Sequence, residues 1–154
     1  MDSFFLFAFT VVASTEGFLI SCALILVGLL VRKRALPFLV ATIGVLLSTI
    51  ALKEVLQVAR PVSSLIETTG YAFPSGHATG SLFLALSLCY LSRTLPKPLR
   101  FGVYVAALMT ALVIGVSRLH FGVHTPLQVI AGFVLGAAWV GVYVWMDTRL
   151  NARS

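Results

Sequence analysis

The decapeptide YAFPSGHATG, residues 71–80, lies in the middle of a strongly apolar sequence, and its composition predicts a polar loop followed by a helix. Pro74 cannot continue a preceding helix and Ser75 is a favourable N-cap, so the first helical turn should begin immediately afterwards. The free N–H groups and partial positive charge of such a helix start suit a phosphate. Gly76 lets an anion approach the backbone closely, and His77 can donate a proton near neutral pH. Taken alone, the segment fits an ordinary capped helix start equally well.

The composition predicts a membrane protein. Of the 154 residues, 59% are hydrophobic and only 10% are charged. A soluble domain of this size cannot bury so much apolar surface, so a lipid bilayer is the expected environment. Cys22 and Cys89 lie inside apolar runs and are expected to be core residues rather than disulfide partners.

We predict an all-α integral membrane bundle formed by a single domain, residues 1–154. Five apolar segments are expected to form its transmembrane helices: residues 17–31, 35–59, 75–91, 101–116 and 126–146. The number rises to six if the opening run, residues 3–13, also inserts; otherwise this run lies at the interface or extends the first helix. A signal peptide is not expected, because no positive charge precedes the opening run and a basic cluster follows the first span.

The cations are distributed unevenly between the two ends of this predicted bundle. The net charge is +6, and alternating spans place most of the cations on one side: Arg32, Lys33, Arg34, Arg93, Lys97, Arg100, Arg149 and Arg153. The positive-inside rule makes that side cytoplasmic, which explains the basic balance without nucleic acid as a partner. Lys53, Arg60 and Arg118 fall toward the other side, together with the helix start at Ser75. The chemistry is therefore expected on the outer face, which in a bacterial inner membrane is the periplasmic face.

The second predicted span carries an ionisable residue near its end. Lys53 would cost roughly 2.5–3.5 kcal/mol at the bilayer centre and less near an interface, and it is either a snorkelling lysine or an anion ligand. Arg60 follows after about two helical turns, so both side chains are expected on one helix face before Pro61 ends the helix. Glu54 is expected to point elsewhere, and no role is predicted for it.

Two further polar positions precede the fifth predicted helix. Arg118 is expected to close the fourth span, and His124 precedes Thr125, which can cap the fifth helix with Pro126 at its first position. Each residue alone also fits a structural role, as an interfacial anchor or as the residue before a cap. Together, the three loops supply one Lys, two Arg, two His and a helix N-terminus. Phosphoryl transfer needs such a set, because it requires fixed positive charge, a nucleophile and an acid for the leaving group.

Three motifs, in order, resemble the signature of the type 2 phosphatidic acid phosphatase family: Lys53-x6-Arg60-Pro61, Pro74-Ser75-Gly76-His77 and Ser117-Arg118-x5-His124. The resemblance implies a helical bundle that acts on a lipid phosphate or diphosphate drawn from the bilayer. It also implies a reaction through a phosphohistidine, without a metal or another cofactor.

The resemblance carries roles to particular positions. It implies His124 as the nucleophile and His77 as the general acid, with Arg118 as a third catalytic residue. The implied phosphate ligands are Lys53, Arg60, Ser75, Gly76 and Arg118. His120 matches no part of the signature and is expected to be a loop or interface residue.

One position departs from the family pattern, because most members have Asp four residues after the nucleophilic His and this chain has Gln128. An amide oxygen can accept the same hydrogen bond from His124 and so orient the ring, but it adds no charge. Alternatively, Gln128 completes a capping box with Thr125.

The glutamine is reminiscent of the dolichyl-diphosphatase-like branch and favours a polyprenyl diphosphate as substrate. Phosphatidate, phosphatidylglycerophosphate and lipid A phosphate are the alternative substrates. A slow or inactive enzyme, a lipid phosphotransferase that uses the same intermediate, and a non-catalytic lipid-phosphate-binding membrane protein are the alternative functions. Decay of the site is disfavoured by its five intact residues: Lys53, Arg60, His77, Arg118 and His124.

Small residues in the fifth span predict a close helix contact. Gly132, Gly136 and Ala137 would let another backbone approach where no hydrophobic effect drives helix association. The alternative is a small-residue stripe that faces lipid.

Overall fold

The computed structural model describes residues 14–31, 34–62, 64–66 and 68–151. In this part of the chain the regular elements are five α-helices and a short 3₁₀ turn, Ser92–Thr94. The helices are α1 (Thr15–Val31), α2 (Ala35–Leu56), α3 (Gly76–Leu91), α4 (Lys97–His120) and α5 (Pro126–Asn151). The predicted all-α bundle is confirmed. The proposed sixth span, residues 3–13, lies outside the described residues, as do Arg32, Lys33 and Arg153.

Three of the helices, α2, α4 and α5, are long and apolar enough to cross a membrane. Helix α1 has 17 residues and α3 has 16. At 1.5 Å per residue these two reach about 24–26 Å, which is slightly less than the roughly 30 Å hydrocarbon core of a bilayer. Large apolar side chains such as Leu24 and Val134 are exposed on the outside of the bundle. The chain is an integral membrane helical bundle.

Helix α3 is the centre of the bundle, and its contacts with α4 and α5 are the most extensive between helices. Glycines allow the approach of α5. A Cβ at Gly132 would lie 2.6 Å from the carbonyl oxygen of Ser75, and a Cβ at Gly136 would clash with the carbonyl oxygen of Thr79. The predicted close contact is therefore confirmed at both glycines, and the partner is α3.

A buried carboxylate joins three helices at the end of the bundle where α2 begins. Asp147 of α5 is 0% exposed and accepts hydrogen bonds from Nε (3.1 Å) and Nη2 of Arg34. The hydroxyl of Tyr90, near the end of α3, donates to the same carboxylate at 2.6 Å. Because Arg34 precedes α2, this cluster holds α2, α3 and α5 together.

The predicted bounds of three helices are wrong. Helix α2 ends at Leu56 instead of residue 59, because Gln57 adopts a left-handed conformation (φ 47°) and donates its N–H to the Lys53 carbonyl. Helix α4 spans Lys97–His120 instead of residues 101–116, so Arg118 lies in the helix and does not follow it. Helix α5 continues to Asn151 instead of residue 146, since no glycine or proline interrupts the segment after that residue.

The end of α2 also corrects the predicted relation between Lys53 and Arg60. Arg60 lies in the loop after the helix, so the two side chains do not share a helix face. The predicted starts of α3 and α5 are confirmed: α3 begins at Gly76 with Ser75 as N-cap, and α5 begins at Pro126.

Candidate active site

A cavity of about 870 Å³ lies between helices α1, α2, α3 and α4. Lys53, Arg60, His77 and His124 line it together with Gly76, the first residue of α3. Along α3 the lining continues as far as Leu88, which at 1.5 Å per residue is about 18 Å into the bundle. The cavity therefore combines a cationic end with a long extension toward the bilayer interior.

Most of this extension is apolar. Phe18, Ile25, Leu46, Leu84, Val103 and Ile114 are among the residues that line it. Three of the hydroxyl residues that line the cavity each donate to a carbonyl of their own helix: Ser21 to Gly17 (2.8 Å), Ser81 to Ala78 (3.2 Å) and Thr110 to Ala106 (2.8 Å). Since their donors are already used, these three positions add little polarity to the wall. The extension suits a hydrocarbon chain.

His124 is positioned in the turn between α4 and α5. Gly122 makes this turn with a positive φ of 63°, and the N–H of Val123 donates to the Arg118 carbonyl at 3.2 Å. The His124 side chain is only 5% exposed, with Nδ1 3.2 Å from Oε1 of Gln128 and Nε2 3.5 Å from Nη1 of Arg60. An amide oxygen only accepts and a guanidinium only donates, so Nδ1 carries the proton and Nε2 keeps its lone pair.

The surroundings of His124 also fix its charge. Burial and the positive charges of Arg60 and Lys53 together lower the pKa of the imidazole to about 4, although hydrogen bonds to Gln128 and to the backbone of Ala72 oppose the shift. The ring is therefore neutral at physiological pH. A neutral imidazole with a free Nε2 lone pair can act as a nucleophile.

Gln128 makes both contacts that the sequence offered as alternatives, one with the His124 ring and one with Thr125 at the helix cap. Its Oε1 accepts from the Thr125 N–H at 2.9 Å as well as from His124, and its own N–H donates to Oγ1 of Thr125 at 3.4 Å. The two bonds between Thr125 and Gln128, one from the Thr125 N–H to Oε1 and one from the Gln128 N–H to Oγ1, form a capping box at the start of α5. One amide oxygen thus serves both the helix cap and the imidazole, and the orienting role of Gln128 stays a prediction.

Backbone carbonyls of the loops hold the two cations that line the cavity. Nζ of Lys53 donates to the Tyr71 carbonyl at 2.5 Å. Arg60 donates from Nε to Gly70 (3.1 Å), from Nη2 to Thr69 (3.0 Å) and from Nη1 to Val123 (3.3 Å). Because these carbonyl acceptors are neutral, the bonds fix the positions of the Lys53 and Arg60 side chains without neutralising their positive charges.

Three predicted site residues are buried next to the cavity instead of lining it: Ser75, Arg118 and Gln128. Arg118 is 1% exposed, its Nε donates to Oγ of Ser117 at 3.2 Å, and its guanidinium carbon lies 5.7 Å from the centre of the Phe121 ring. Ser75 is the N-cap of α3 by backbone geometry, but its hydroxyl makes no capping hydrogen bond. The structure therefore brings Lys53, Arg60, Gly76, His77 and His124 to one cavity, and the roles of all eight residues stay predictions.

Glu54 and Thr49 of α2 are among the polar residues that line the cavity and that the sequence interpretation did not assign to the site. Glu54 was expected to point elsewhere, but it lies on the cavity wall next to Lys53. Thr49 lies one helical turn before Lys53 on the same wall. Their spacing with Val45, Leu46 and Ile50 follows the period of a helix face, and this pattern was the available signal.

The donor set fits an anion better than a metal ion. Lys53 and Arg60 would repel a cation, whereas they would attract phosphate oxygens. Within the described ranges, no three or more His, Cys, Asp or Glu side chains are grouped so that they could hold a metal ion.

The sequence matches a family model described as the PAP2 superfamily over residues 34–152. It is 31% identical over 126 residues to an undecaprenyl-diphosphatase of Sulfolobus acidocaldarius, covering 77% of this chain and 57% of that protein. It is 34% identical over 94 residues to phosphatidylglycerophosphatase B of Bacillus subtilis, covering 55% of this chain and 44% of that protein. This chain thus matches only about half the length of either relative.

A solved structure has the same fold. The crystal structure of a transmembrane PAP2 type phosphatidylglycerolphosphate phosphatase from Bacillus subtilis superposes with a TM-score of 0.75. The match covers 98% of this chain and 77% of that one at 22% sequence identity, so it supports the fold.

Proposed function

This chain belongs to the PAP2 superfamily, and on that premise we propose that it is a lipid phosphatase that uses His124 as its nucleophile. One observation carries the proposal. Nδ1 of the buried His124 ring lies 3.2 Å from Oε1 of Gln128, and Nε2 lies 3.5 Å from Nη1 of Arg60, at the cationic end of a largely apolar cavity. A lipid phosphate placed there would have its charged group at the cations and its hydrocarbon chain in the extension.

The proposed reaction has two steps. Nε2 of His124 attacks the phosphorus, and the bond to the leaving oxygen breaks while His77 donates a proton to that oxygen. Water then attacks the phosphohistidine, with His77 accepting a proton, and inorganic phosphate leaves. Lys53, Arg60 and Arg118, together with the N–H groups at the start of α3, stabilise the equatorial oxygens in both transition states. Since these groups neutralise the developing charge, the reaction requires no divalent metal.

We propose a polyprenyl diphosphate as the favoured substrate. Gln128 supports this choice, as does the similarity to the Sulfolobus acidocaldarius protein named undecaprenyl-diphosphatase. The similarity to phosphatidylglycerophosphatase B keeps phosphatidylglycerophosphate as the main alternative. Phosphatidate and lipid A phosphate present the same chemistry to the site and belong in the same substrate panel.

We further propose that the site faces the outer side of a cytoplasmic membrane. The site lies where α2 ends and α3 begins, whereas Arg34, Arg93 and Asp147 meet at the opposite end of the bundle. Lys97, Arg100 and Arg149 belong to that opposite end as well, since they lie in the first turn of α4 and the last turns of α5. The positive-inside rule makes that end cytoplasmic.

The proposal is tested by the release of inorganic phosphate from purified protein in detergent. The substrates are a polyprenyl diphosphate, phosphatidylglycerophosphate, phosphatidate and lipid A phosphate, each with and without EDTA. We expect release that is unaffected by EDTA and fastest from the polyprenyl diphosphate. Activity that disappears with EDTA and returns with a divalent metal would refute the mechanism. Transfer of the phosphate to a second lipid, without release of inorganic phosphate, would identify a transferase. If no substrate reacts, the protein would be a non-catalytic lipid-phosphate-binding protein.

A further inference from the structure

The helices around α3 form a ring that is open on one side. Helix α4 contacts α5, α5 contacts α2, and α2 contacts α1, while α3 in the centre contacts all four. In the part of the chain that the structure describes, α1 and α4 make at most marginal contact with each other, although both line the cavity. The cavity therefore faces the lipid between α1 and α4.

The α4 side of the cavity is lined mostly by small side chains. Val103, Ala106, Ala107 and Thr110 line it at the spacing of one helix face. Ala106 and Thr110 are exposed, and Leu88, the last residue of α3 on the cavity wall, is 40% exposed as well. Because these side chains are not covered by a neighbouring helix, a hydrocarbon chain can pass from the cavity into the bilayer on this side.

The depth of the cavity limits how much of a chain it can hold. The lining of α3 runs from Gly76 to Leu88, about 18 Å, and that of α4 runs from Ile114 to Val103, about 16 Å. An extended chain advances about 1.2 Å per bond, since the three backbone bonds of an extended residue span about 3.3–3.6 Å. The cavity therefore holds about 15 bonds, counted from a phosphorus atom beside Gly76.

We propose that the cavity binds only about three isoprene units of a polyprenyl diphosphate, those next to the phosphates, and that the rest of the chain leaves the bundle between α1 and α4. This assignment rests on the function proposed above. Of the roughly 15 bonds, about four join the terminal phosphorus to the first carbon, and the remaining eleven or so correspond to three units of four chain bonds each. Units beyond the third contact bilayer lipid, so a long chain fits without a deeper cavity.

Two leucines of α3 mark different depths in the extension. Leu84 lies about 12 Å from Gly76 along the helix and Leu88 about 18 Å, and both line the cavity. An analogue with one isoprene unit ends before Leu84, one with two units ends between the two leucines, and one with four units passes both. A tryptophan at either position would fill the extension at that depth.

Binding of methylene-bridged diphosphate analogues with one, two, four and eleven isoprene units tests the proposal without requiring turnover. The affinity of each analogue is compared between a variant and the original protein in the same lipid nanodiscs, so that its partitioning into lipid cancels. Leu84→Trp should weaken binding of every analogue except the one-unit analogue by about tenfold, because it overpacks the extension. Leu88→Trp should weaken binding of only the four-unit and eleven-unit analogues, and by the same factor for both.

Leu108→Trp is the matched control. Leu108 is 39% exposed, as Leu88 is 40% exposed, but it is not among the described residues that line the cavity. This variant should bind all four analogues with the affinity of the original protein. An unchanged affinity of the four-unit analogue for Leu88→Trp would overturn the proposal, as would an equal loss for the one-unit and four-unit analogues. If Leu84→Trp does not fold, Leu84→Phe takes its place under the same criteria.

A photoreactive group on the eleven-unit analogue tests where the chain leaves. A diazirine on the third unit should label Leu88 or Val103, and a diazirine on the last unit should label bilayer lipid. Labelling of the buried cluster around Asp147 by the last unit would overturn the proposal, because the whole chain would then lie inside the bundle. If the original protein binds these analogues but releases phosphate from no substrate, the phosphatase function fails and the chain-length result stands. If phosphate is released but neither tryptophan variant changes binding, the function stands and this proposal fails.

Discussion

The backbone N–H of Ser75 donates a hydrogen bond of 3.1 Å to the carbonyl oxygen of Gln128, which joins the start of α3 to the start of α5. Gly132 makes room for this contact, because a Cβ there would lie 2.6 Å from the Ser75 carbonyl oxygen. His77 follows Ser75 by two residues, and His124 precedes Gln128 by four. This backbone contact between helix starts therefore helps to position the two histidines, and such rigid support is what the proposed catalytic pair would require.

His124→Ala should abolish formation of a phosphoenzyme, because the proposed nucleophile is lost. His77→Ala should slow turnover by roughly 10²–10⁴-fold, the usual contribution of a positioned general acid. The loss of turnover should be smaller for a phosphate ester whose leaving group departs without taking up a proton. Rapid quenching with radiolabelled substrate measures both. His120→Ala is the control, since His120 is exposed at the end of α4 and contacts the Phe121 ring. An acid-labile phosphoenzyme in the His124→Ala variant would contradict the assignment.

Gln128→Ala should lower both turnover and stability, because Oε1 serves the His124 ring and the Thr125 N–H together. Loss of the capping hydrogen bond should lower the free energy of unfolding by about 1 kcal/mol. Thr125→Val separates the effects, since it removes the Oγ1 acceptor of the cap and leaves the bond between Gln128 and His124. Turnover per folded molecule and melting temperature in detergent are the measurements. If Gln128→Ala only reproduces the effect of Thr125→Val, Gln128 has no role in catalysis.

The pH dependence of His124 follows from its lowered pKa. Its imidazole should stay neutral down to about pH 4, whereas an unfolded chain takes up this proton near pH 6.5. The unfolded state therefore binds more protons between these values, so this residue should reduce stability as the pH falls from about 6.5 to about 4. NMR titration of ¹⁵N-labelled histidine should place the His124 midpoint well below 6.5. Inorganic phosphate in the site should raise the His124 pKa, because its negative charge favours the imidazolium, and a midpoint near 6.5 without anion would contradict the description of the site.

Gly136→Ala should destabilise the bundle, because the added Cβ would clash with the Thr79 carbonyl oxygen of α3. Overpacking of this kind costs about 1–3 kcal/mol. Gly141→Ala is the matched control in the same helix, since a Cβ at Gly141 has no atom within 4 Å. That control should raise stability slightly through the better helix propensity of alanine. Thermal unfolding in detergent measures both, and equal melting temperatures for the two variants would show that the contact has no energetic importance.

Features fixed by neighbouring residues could be predicted from the sequence. The starts of α3 and α5 depend on a proline and a capping residue within the same few positions, and both were predicted. The end of α4 also had a local signal that the sequence interpretation did not use. Gly122 is the residue with positive φ two positions after His120, a common helix stop.

Features that depend on distant contacts could not be predicted in the same way. Helix α2 ends at a left-handed glutamine, and Arg60 reaches the cavity because carbonyls of residues 69, 70 and 123 bind its guanidinium. The cavity position of Glu54 and the partnerless hydroxyl of Thr49 depend on how α1, α3 and α4 surround α2. Spacing along α2 could group Glu54 and Thr49 with Lys53 on one helix face, but it contains no information about which helices pack against that face.

The length of α3 has a consequence for the surrounding lipid. Its 16 residues span about 24 Å, less than the thickness of an average hydrocarbon core, and its first turn carries the candidate phosphate site. Such hydrophobic mismatch is relieved by local thinning of the bilayer. We expect the leaflet beside the site to be drawn inward, so that the headgroup phosphates of neighbouring lipids lie at the depth of His77 and His124. Activity reconstituted in phosphatidylcholine bilayers should therefore fall as the acyl chains are lengthened.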